Sequence, residues 1–269
     1  MLNIAYYQFA PQMGEREKNL SKVRHALREL TAPIDIMVLP ELFATGYAFA
    51  SRDDVAPFAE DAQQGPTITL LKELARTKNM HIFGGFPEKA GDKIYNSSIL
   101  VSPKGESWTY RKAHLFNEEK ILFDKSDTHL DPILITVGEQ KIKVGLMICF
   151  DWIFPETART LALKGAQILL HTTNLVLPYC PAATITRALE NRVFIVLADR
   201  VGSDWCRGKE IKFTGLSRIV SPKGEVLVSS DEVAEEIKWI SLDPTEALDK
   251  NLNSYNDLFE DRRSDLYSL

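Results

Sequence analysis

The sequence predicts an α/β protein built from sheets that carry helices on their faces. Three observations lead there. Apolar runs of five to seven residues alternate with amphipathic stretches along most of the chain. Those runs suit strands covered by helices. A stretch of sequence also recurs: Asn96-Ser-Ser-Ile-Leu-Val-Ser-Pro-Lys-Gly-Glu106 echoes Thr214-Gly-Leu-Ser-Arg-Ile-Val-Ser-Pro-Lys-Gly-Glu225. Ser-Pro-Lys-Gly is a tight-turn signal, with Pro suited to the first central position and Gly to the last. Each copy is expected to join two antiparallel strands. One copy falls in each half, so two related halves are expected, each giving one sheet, packed face to face.

The elements follow in order. Asn3–Phe9 is strand-like. Glu17–Leu30 has helical spacing, with Leu20, Val23, Leu27 and Leu30 on one face. Asp35–Leu39 is the next strand. Thr67–Lys78 is a helix with Ile68, Leu71, Leu74 and Ala75 apolar, and His81–Gly84 is a short strand ending in Gly-Gly. Ser107–Tyr110 is strand-like. Lys143–Cys149 is a strand, Glu156–Lys164 a helix, Ile168–Thr172 a strand, Ala183–Arg192 a helix and Phe194–Asp199 a strand. No Pro/Ser-rich linker interrupts the chain, so residues 1–269 are expected to form a single domain. The polar stretch 245–269 carries Leu248, Leu252, Tyr255, Leu258 and Phe259 at intervals too regular for a disordered tail, which predicts a terminal helix.

Composition narrows the function classes. The 269 residues are 45% hydrophobic and 26% charged, as in ordinary globular proteins. A formal net charge of −5 without a basic block argues against nucleic acid as a partner. No apolar run approaches the roughly 20 residues that span a bilayer, so no membrane partner is expected. The N-terminus reads as a first strand rather than a signal peptide. Three cysteines, Cys149, Cys180 and Cys206, are too sparse for a disulfide framework and fit a reducing cytoplasm. No Cys-x-x-Cys or His-x-x-x-His spacing points to a metal.

Chemistry concentrates at three segment ends. Cys149 ends an apolar run and precedes a helix-like segment. Helix N-terminal amides and the macrodipole favour negative charge there, which predicts a lowered thiol pKa. Glu41 ends the apolar run Ile34-Asp-Ile-Met-Val-Leu-Pro-Glu41, and Lys112 follows the strand-like stretch ending at Tyr110. A carboxylate that takes the thiol proton and an ammonium that stabilises a tetrahedral intermediate would complete a nucleophilic site.

The segments Leu39-Pro-Glu41-Leu-Phe, Tyr110-Arg-Lys112-Ala-His-Leu-Phe116 and Met147-Ile-Cys149-Phe-Asp-Trp152, in that order, resemble the nitrilase superfamily of carbon–nitrogen hydrolases. The resemblance spans nearly the whole chain. It implies an α-β-β-α sandwich of two mixed six-stranded sheets. It also implies Glu41 as general base, Lys112 as oxyanion stabiliser and Cys149 as nucleophile. The family's second glutamate corresponds to Glu119, although its usual Glu-Pro-Gly is Asp124-Lys125-Ser126 here. By the same resemblance Glu190 and Asn191 orient the pocket from behind. In relatives the tail region often crosses to a second subunit, so a homodimer is expected here, with the face from Phe154 to Leu163 and the tail at the interface.

Other residues are expected around this site. Asn174 should lie near the pocket mouth. The Phe150 amide is the expected oxyanion donor beside Lys112. Phe43, Tyr47, Phe116 and Trp152 are candidates to narrow the pocket. Asp151 is read as the cap of the next helix, and His114 and His171 as structural. Cys180 is read as lying in a loop, and Cys206 in a polar loop at the rim. The predicted reaction is acyl transfer through a thioester, needing no redox or metal cofactor. It converts a small aliphatic amide, such as an ω-amide or related linear amide, to a carboxylic acid and ammonia. A nitrile or an N-carbamoyl amine is the alternative substrate. A papain-like Cys–His protease and a catalytically dead binding module are the readings from other classes.

Overall fold

The computed structural model describes residues 1–267. The first sheet takes β1 (Leu2–Gln8), β2 (Ile36–Val38), β3 (His81–Ala90), β4 (Lys93–Val101) and β5 (Ser107–Arg111). The second takes β6 (Ile133–Val137), β7 (Gln140–Ile148), β8 (Ile168–Thr172) and β9 (Phe194–Ala198). A two-stranded arm, β10 (Ser203–Cys206) and β11 (Lys209–Lys212), precedes β12 (Arg218–Val220) and β13 (Val226–Ser229), and β14 (Glu236–Leu242) closes the list. The sheet orders are β14-β1-β2-β3-β4-β5 and β13-β12-β9-β8-β7-β6.

Read from β14 and from β6, the two sheets have the same pairing pattern. Each begins with an antiparallel pair, continues with two parallel pairs and ends with two antiparallel pairs. The repeated Ser-Pro-Lys-Gly turns sit at equivalent places, joining β4 to β5 and β12 to β13. In each the Gly amide closes the turn on the Ser carbonyl, Gly105 on Ser102 at 3.0 Å and Gly224 on Ser221 at 2.9 Å. Both glycines have positive φ, 88° and 79°, which glycine adopts without steric cost.

Alternation along the strands divides the interior into layers. Ile4, Tyr6, Val38 and Phe83 of the first sheet meet Val144, Leu146, Ile148 and Leu170 of the second in one continuous core. The opposite faces take the helices. Leu20, Val23 and Leu27 of α1 (Arg16–Glu29) join Ile68, Leu71 and Leu74 of a second long helix, Pro66–Lys78, over Ala5, Met37 and Ile82. Leu161 and Ala162 of the helix Pro155–Leu163, with Ala188 of the helix Cys180–Asn191, cover Met147, Leu169 and Ile195. The architecture is the expected α-β-β-α sandwich. In chain order the remaining helices are α2 (Arg52–Val55), α3 (Pro66–Lys78), α4 (Glu119–Leu122), α5 (Pro155–Leu163) and α6 (Cys180–Asn191). α3, α5 and α6 carry Pro in the first turn, where a missing N–H costs nothing.

Several boundaries differ from expectation. β3 does not stop at Gly84-Gly85 but runs through to Ala90. The glycines serve close packing: a Cβ on Gly85 would lie 2.5 Å from Leu42 N and 2.7 Å from the Glu41 Cα. α6 begins at Cys180, so that thiol is buried in a helix start rather than held in a loop. Cys206 lies in β10, part of a hairpin arm rather than an irregular loop. The tail forms no terminal α-helix. After a 3₁₀ turn at Pro244–Leu248 it runs as turns, with Phe259 packed on the α5 layer and Tyr255 92% exposed. Its repeated apolar spacing is therefore satisfied only in part within this chain. Residues 268 and 269 of the 245–269 tail lie outside the described residues. Among the described residues no helix is long and apolar enough to cross a membrane.

Candidate active site

Glu41, Lys112 and Cys149 follow β2, β5 and β7, at one end of the sandwich. Glu119 opens the one-turn helix α4 rather than sitting in a loop. Lys112 Nζ is 2.8 Å from Glu41 Oε1 and 2.7 Å from Glu119 Oε1. All three side chains are almost wholly buried. Burial alone would lower the Lys112 pKa, but the Glu119 and Glu41 charges outweigh it and hold the ammonium charged. Burial raises the Glu119 pKa against the opposing pull of Lys112.

Three of these positions are set by strained backbone. Leu42, Asn117 and Cys149 have φ of 46°, 46° and 39°, a region that costs a non-Gly residue on the order of 1–3 kcal/mol. Each lies at or within two residues of a member of the quartet. At Cys149 the strain breaks the strand into a 3₁₀ turn, Cys149–Ile153. Asp151 caps this turn, not the following helix as expected: its Oδ2 accepts the Ile148 amide at 2.9 Å and the Tyr110 hydroxyl at 2.8 Å. Its Oδ1 lies 2.8 Å from His114 Nδ1, and the His114 ring stacks on Phe154. His171 Nε2 lies 3.0 Å from the Cys149 carbonyl, and burial pushes its pKa down to about 4. Because a carbonyl only accepts, the neutral ring must carry its proton on Nε2. Both histidines thus contact the cysteine turn, one through Asp151 and one at the Cys149 carbonyl.

The thiol departs from expectation. Burial, then the Glu41 charge, then Glu119, push the Cys149 pKa well above its ordinary value, against the pull of Lys112. A five-residue 3₁₀ turn beside two carboxylates does not reproduce the field of a long helix N-terminus. A thiol whose pKa is held up in this way relies on a base for its attack. Glu41 Oε2 is buried without a hydrogen-bond partner among the described residues.

Asn174 lines the cavity beside Cys149, buried within it rather than at its mouth; its Nδ2 donates to the Glu41 carbonyl at 2.9 Å and its own carbonyl lies 3.9 Å from Cys149 Sγ. Its neighbours are clamped by Asp199: Thr173 Oγ1 and the Leu175 amide each donate to Oδ1, and Thr214 Oγ1 donates to Oδ2, all at 2.9 Å. Asn96 Nδ2 donates to Glu41 Oε1 at 2.7 Å. Sequence reading missed Asn96 and Asp199. A signal existed for both, since each is a polar residue in or directly after an apolar strand.

Two cavities meet at Phe116 and Val176. One, about 140 Å³, is lined by Cys149, Phe150, Trp152, Leu175 and Leu177. The other, about 320 Å³, is lined by Tyr47, Glu118, Glu119, Cys206 and Lys212. Tyr47 donates its hydroxyl to Glu119 Oε1 at 2.8 Å. Phe43 lines neither cavity; it is core under the helix layer. Glu190 and Asn191 stay outside the site. Glu190 pairs with Arg187, whose Nε donates to the Trp152 carbonyl at 3.1 Å, so their link to the site is indirect. The charges of Glu41, Lys112 and Glu119 all act on the Cys149 thiol, and a carboxylate, an ammonium and a thiol so grouped are the kinds of side chain that nucleophilic attack on a polarised carbon uses.

The sequence profile of the carbon–nitrogen hydrolases matches residues 3–247. The chain is 46% identical over 268 residues to a protein of Pyrococcus abyssi named nitrilase, covering 99% of each. It is 33% identical to an (R)-stereoselective amidase of a Pseudomonas species, covering 97% of this chain and 92% of that one. In fold it is similar to a carbon–nitrogen hydrolase from Helicobacter pylori, with a TM-score of 0.88, 24% identity, and coverage of 99% of this chain and 97% of that one.

Proposed function

As the chain belongs to the carbon–nitrogen hydrolase family of the nitrilase superfamily, we propose that it hydrolyses a small aliphatic amide to a carboxylic acid and ammonia through a thioester on Cys149. The observation that carries this reading is the buried cluster in which Glu41 and Glu119 share Lys112, at the strand end where Cys149 opens onto a cavity. In the first step Glu41 takes the Sγ proton as sulfur attacks the carbonyl carbon. Lys112 spends two protons on carboxylates, so its third is free for the developing oxyanion, joined by the Phe150 amide at the start of the turn. Glu41 returns its proton to the leaving nitrogen and ammonia departs, leaving the acyl thioester. Glu41 or Glu119 then accepts a proton from water as the water attacks. The second tetrahedral intermediate collapses, the thiolate recovers a proton, and the acid leaves. Phe116, Trp152 and Tyr47 shape the site, and Asn174 lines it beside Cys149.

Turnover of short amides followed by ammonia release tests this, with Cys149→Ala as the blank. An acyl adduct on Cys149 in the mass spectrum is expected. Wild-type turnover by Cys149→Ala would refute the mechanism. A nitrile as substrate is the second reading, favoured by the name of the Pyrococcus abyssi relative.

The quartet draws on both sheets, which supports reading residues 1–269 as one domain. Exposed Ile153, Leu163 and Leu189, with Leu252 and Tyr255 of the tail, support a homodimer through the α5 face. A monomeric mass in light scattering at micromolar concentration would remove that claim. Three free cysteines fit a cytoplasmic setting.

A further inference from the structure

The acyl carbon must bond to Cys149 Sγ, so the acyl chain occupies whatever space adjoins that sulfur. Of the two cavities, the thiol lines only the smaller. Its other walls are mostly apolar, among them Phe116, Trp152, Leu175 and Leu177, with the neutral amide of Asn174 the one polar side chain besides the Tyr179 hydroxyl. Among the described residues no Lys, Arg or His lines it. Lys112 is paired with Glu41 and Glu119, its remaining N–H is assigned to the oxyanion, and it does not line this cavity, so it offers no counter-charge to the far end of an acyl chain lying there. The nearby Arg187 is tied to Glu190 and the Trp152 carbonyl. With about 140 Å³ available, the space takes about five groups of water or methylene size.

We infer that the acyl half of the substrate is neutral and apolar, and that the enzyme rejects amides whose acyl chain ends in a carboxylate. The inference rests on the proposed amide hydrolysis and narrows it, setting aside the ω-amides of acidic chains that the sequence left open. The cause is desolvation. An ionised carboxylate moved into this cleft loses its water and finds no cation, while two carboxylates stand behind the thiol. Lys212 lines the larger cavity on the far side of Phe116. Leu177 is half-exposed at the rim and is therefore the position where a charge can be added without disturbing the core.

The test compares butyramide with succinamic acid, which replaces the terminal methyl by a carboxylate, at pH 7.5. The kcat/KM for succinamic acid is expected to be lower by roughly 10²–10³-fold, the penalty of an unpaired buried charge. Leu177→Arg should raise the succinamic acid to butyramide ratio about tenfold or more, whereas Leu177→Gln should leave it near wild type. Succinamic acid turned over within threefold of butyramide would overturn the inference while leaving the amidase reading intact. So would a succinamic acid activity that is lost in Lys212→Ala, because the chain would then lie in the larger cavity. Absence of turnover of every aliphatic amide, with no adduct on Cys149, would overturn the amidase reading and this inference with it.

Discussion

Glu41 and Lys112 meet at 2.8 Å across 71 positions of sequence, both with fully buried side chains. The ammonium also holds Glu119 at 2.7 Å, so one cation serves two carboxylates in the interior. Removing it leaves two buried like charges. Lys112→Ala should therefore lower kcat by roughly 10²–10⁴ through loss of the oxyanion donor. It should also cost on the order of 3–5 kcal/mol in urea unfolding. Glu41→Gln should lose a similar factor in rate while keeping most of the stability. Equal stability of Lys112→Ala and wild type would show that the pair does not exist in solution.

Gly85 is the surface on which the Glu41 turn rests. Its missing Cβ leaves room for the Leu42 amide and the Glu41 Cα. Gly85→Ala should push the turn away and lower kcat/KM by about tenfold or more, since small misplacements of a base are costly. A crystal structure of the variant should show Glu41 displaced from Lys112. Wild-type kinetics would mean that the strand yields instead.

Tyr47 gives Glu119 its hydroxyl proton at 2.8 Å. Hydrogen bonds to charged groups are worth about 1.5–3 kcal/mol. Tyr47→Phe should reduce kcat by about 10–100-fold and shift the pH dependence of kcat as Glu119 loses a donor that favours its ionised form. An unchanged pH profile would mean that Glu119 does not titrate in turnover.

Two buried groups oppose each other in the dependence of stability on pH. Burial raises Asp199 from the ordinary 3.8 to about 7 despite its donors. The native state then holds a proton that the unfolded state has lost, so this group makes stability fall as pH rises from about 4 to about 7. His171 is depressed from 6.5 to about 4. The unfolded state binds the extra proton there, so its contribution rises over about pH 4 to 6.5. Asp199→Asn should therefore steepen the gain of stability with pH in that window, and His171→Gln should reverse it. Chemical unfolding at half-unit pH steps reads both slopes. Parallel profiles for the two variants would contradict the assignment.

Much of this arrangement was legible in the residues alone. Apolar runs at Asp35–Leu39 and Ile168–Thr172 gave strands because those strands are covered on both faces, so composition suffices to mark them. The repeated Ser-Pro-Lys-Gly turns foretold the two matching hairpins, since turn chemistry is local. Glu41, Lys112 and Cys149 stood out because each ends a strand-like run. Asn96 was hidden within a stretch read only as a hairpin repeat, and Asp199 looked like an ordinary strand end. Their partners lie 55 and 24–26 positions away. The tail misled because spacing that suits a helix needs a surface to pack on, and here only Phe259 finds one within the chain.

By itself, then, the chain determined most of the buried strands and long helices, the two like turns and the kinds of reactive group at strand ends, because these depend on neighbours in sequence. The tertiary structure alone decided that burial and two carboxylates hold the thiol pKa up, that Asn174 lines the cavity while holding the Glu41 carbonyl, and that among the described residues no cation lines the space beside the sulfur. Those properties arise from burial and from charges brought together across tens of residues, and no local pattern encodes a dielectric environment.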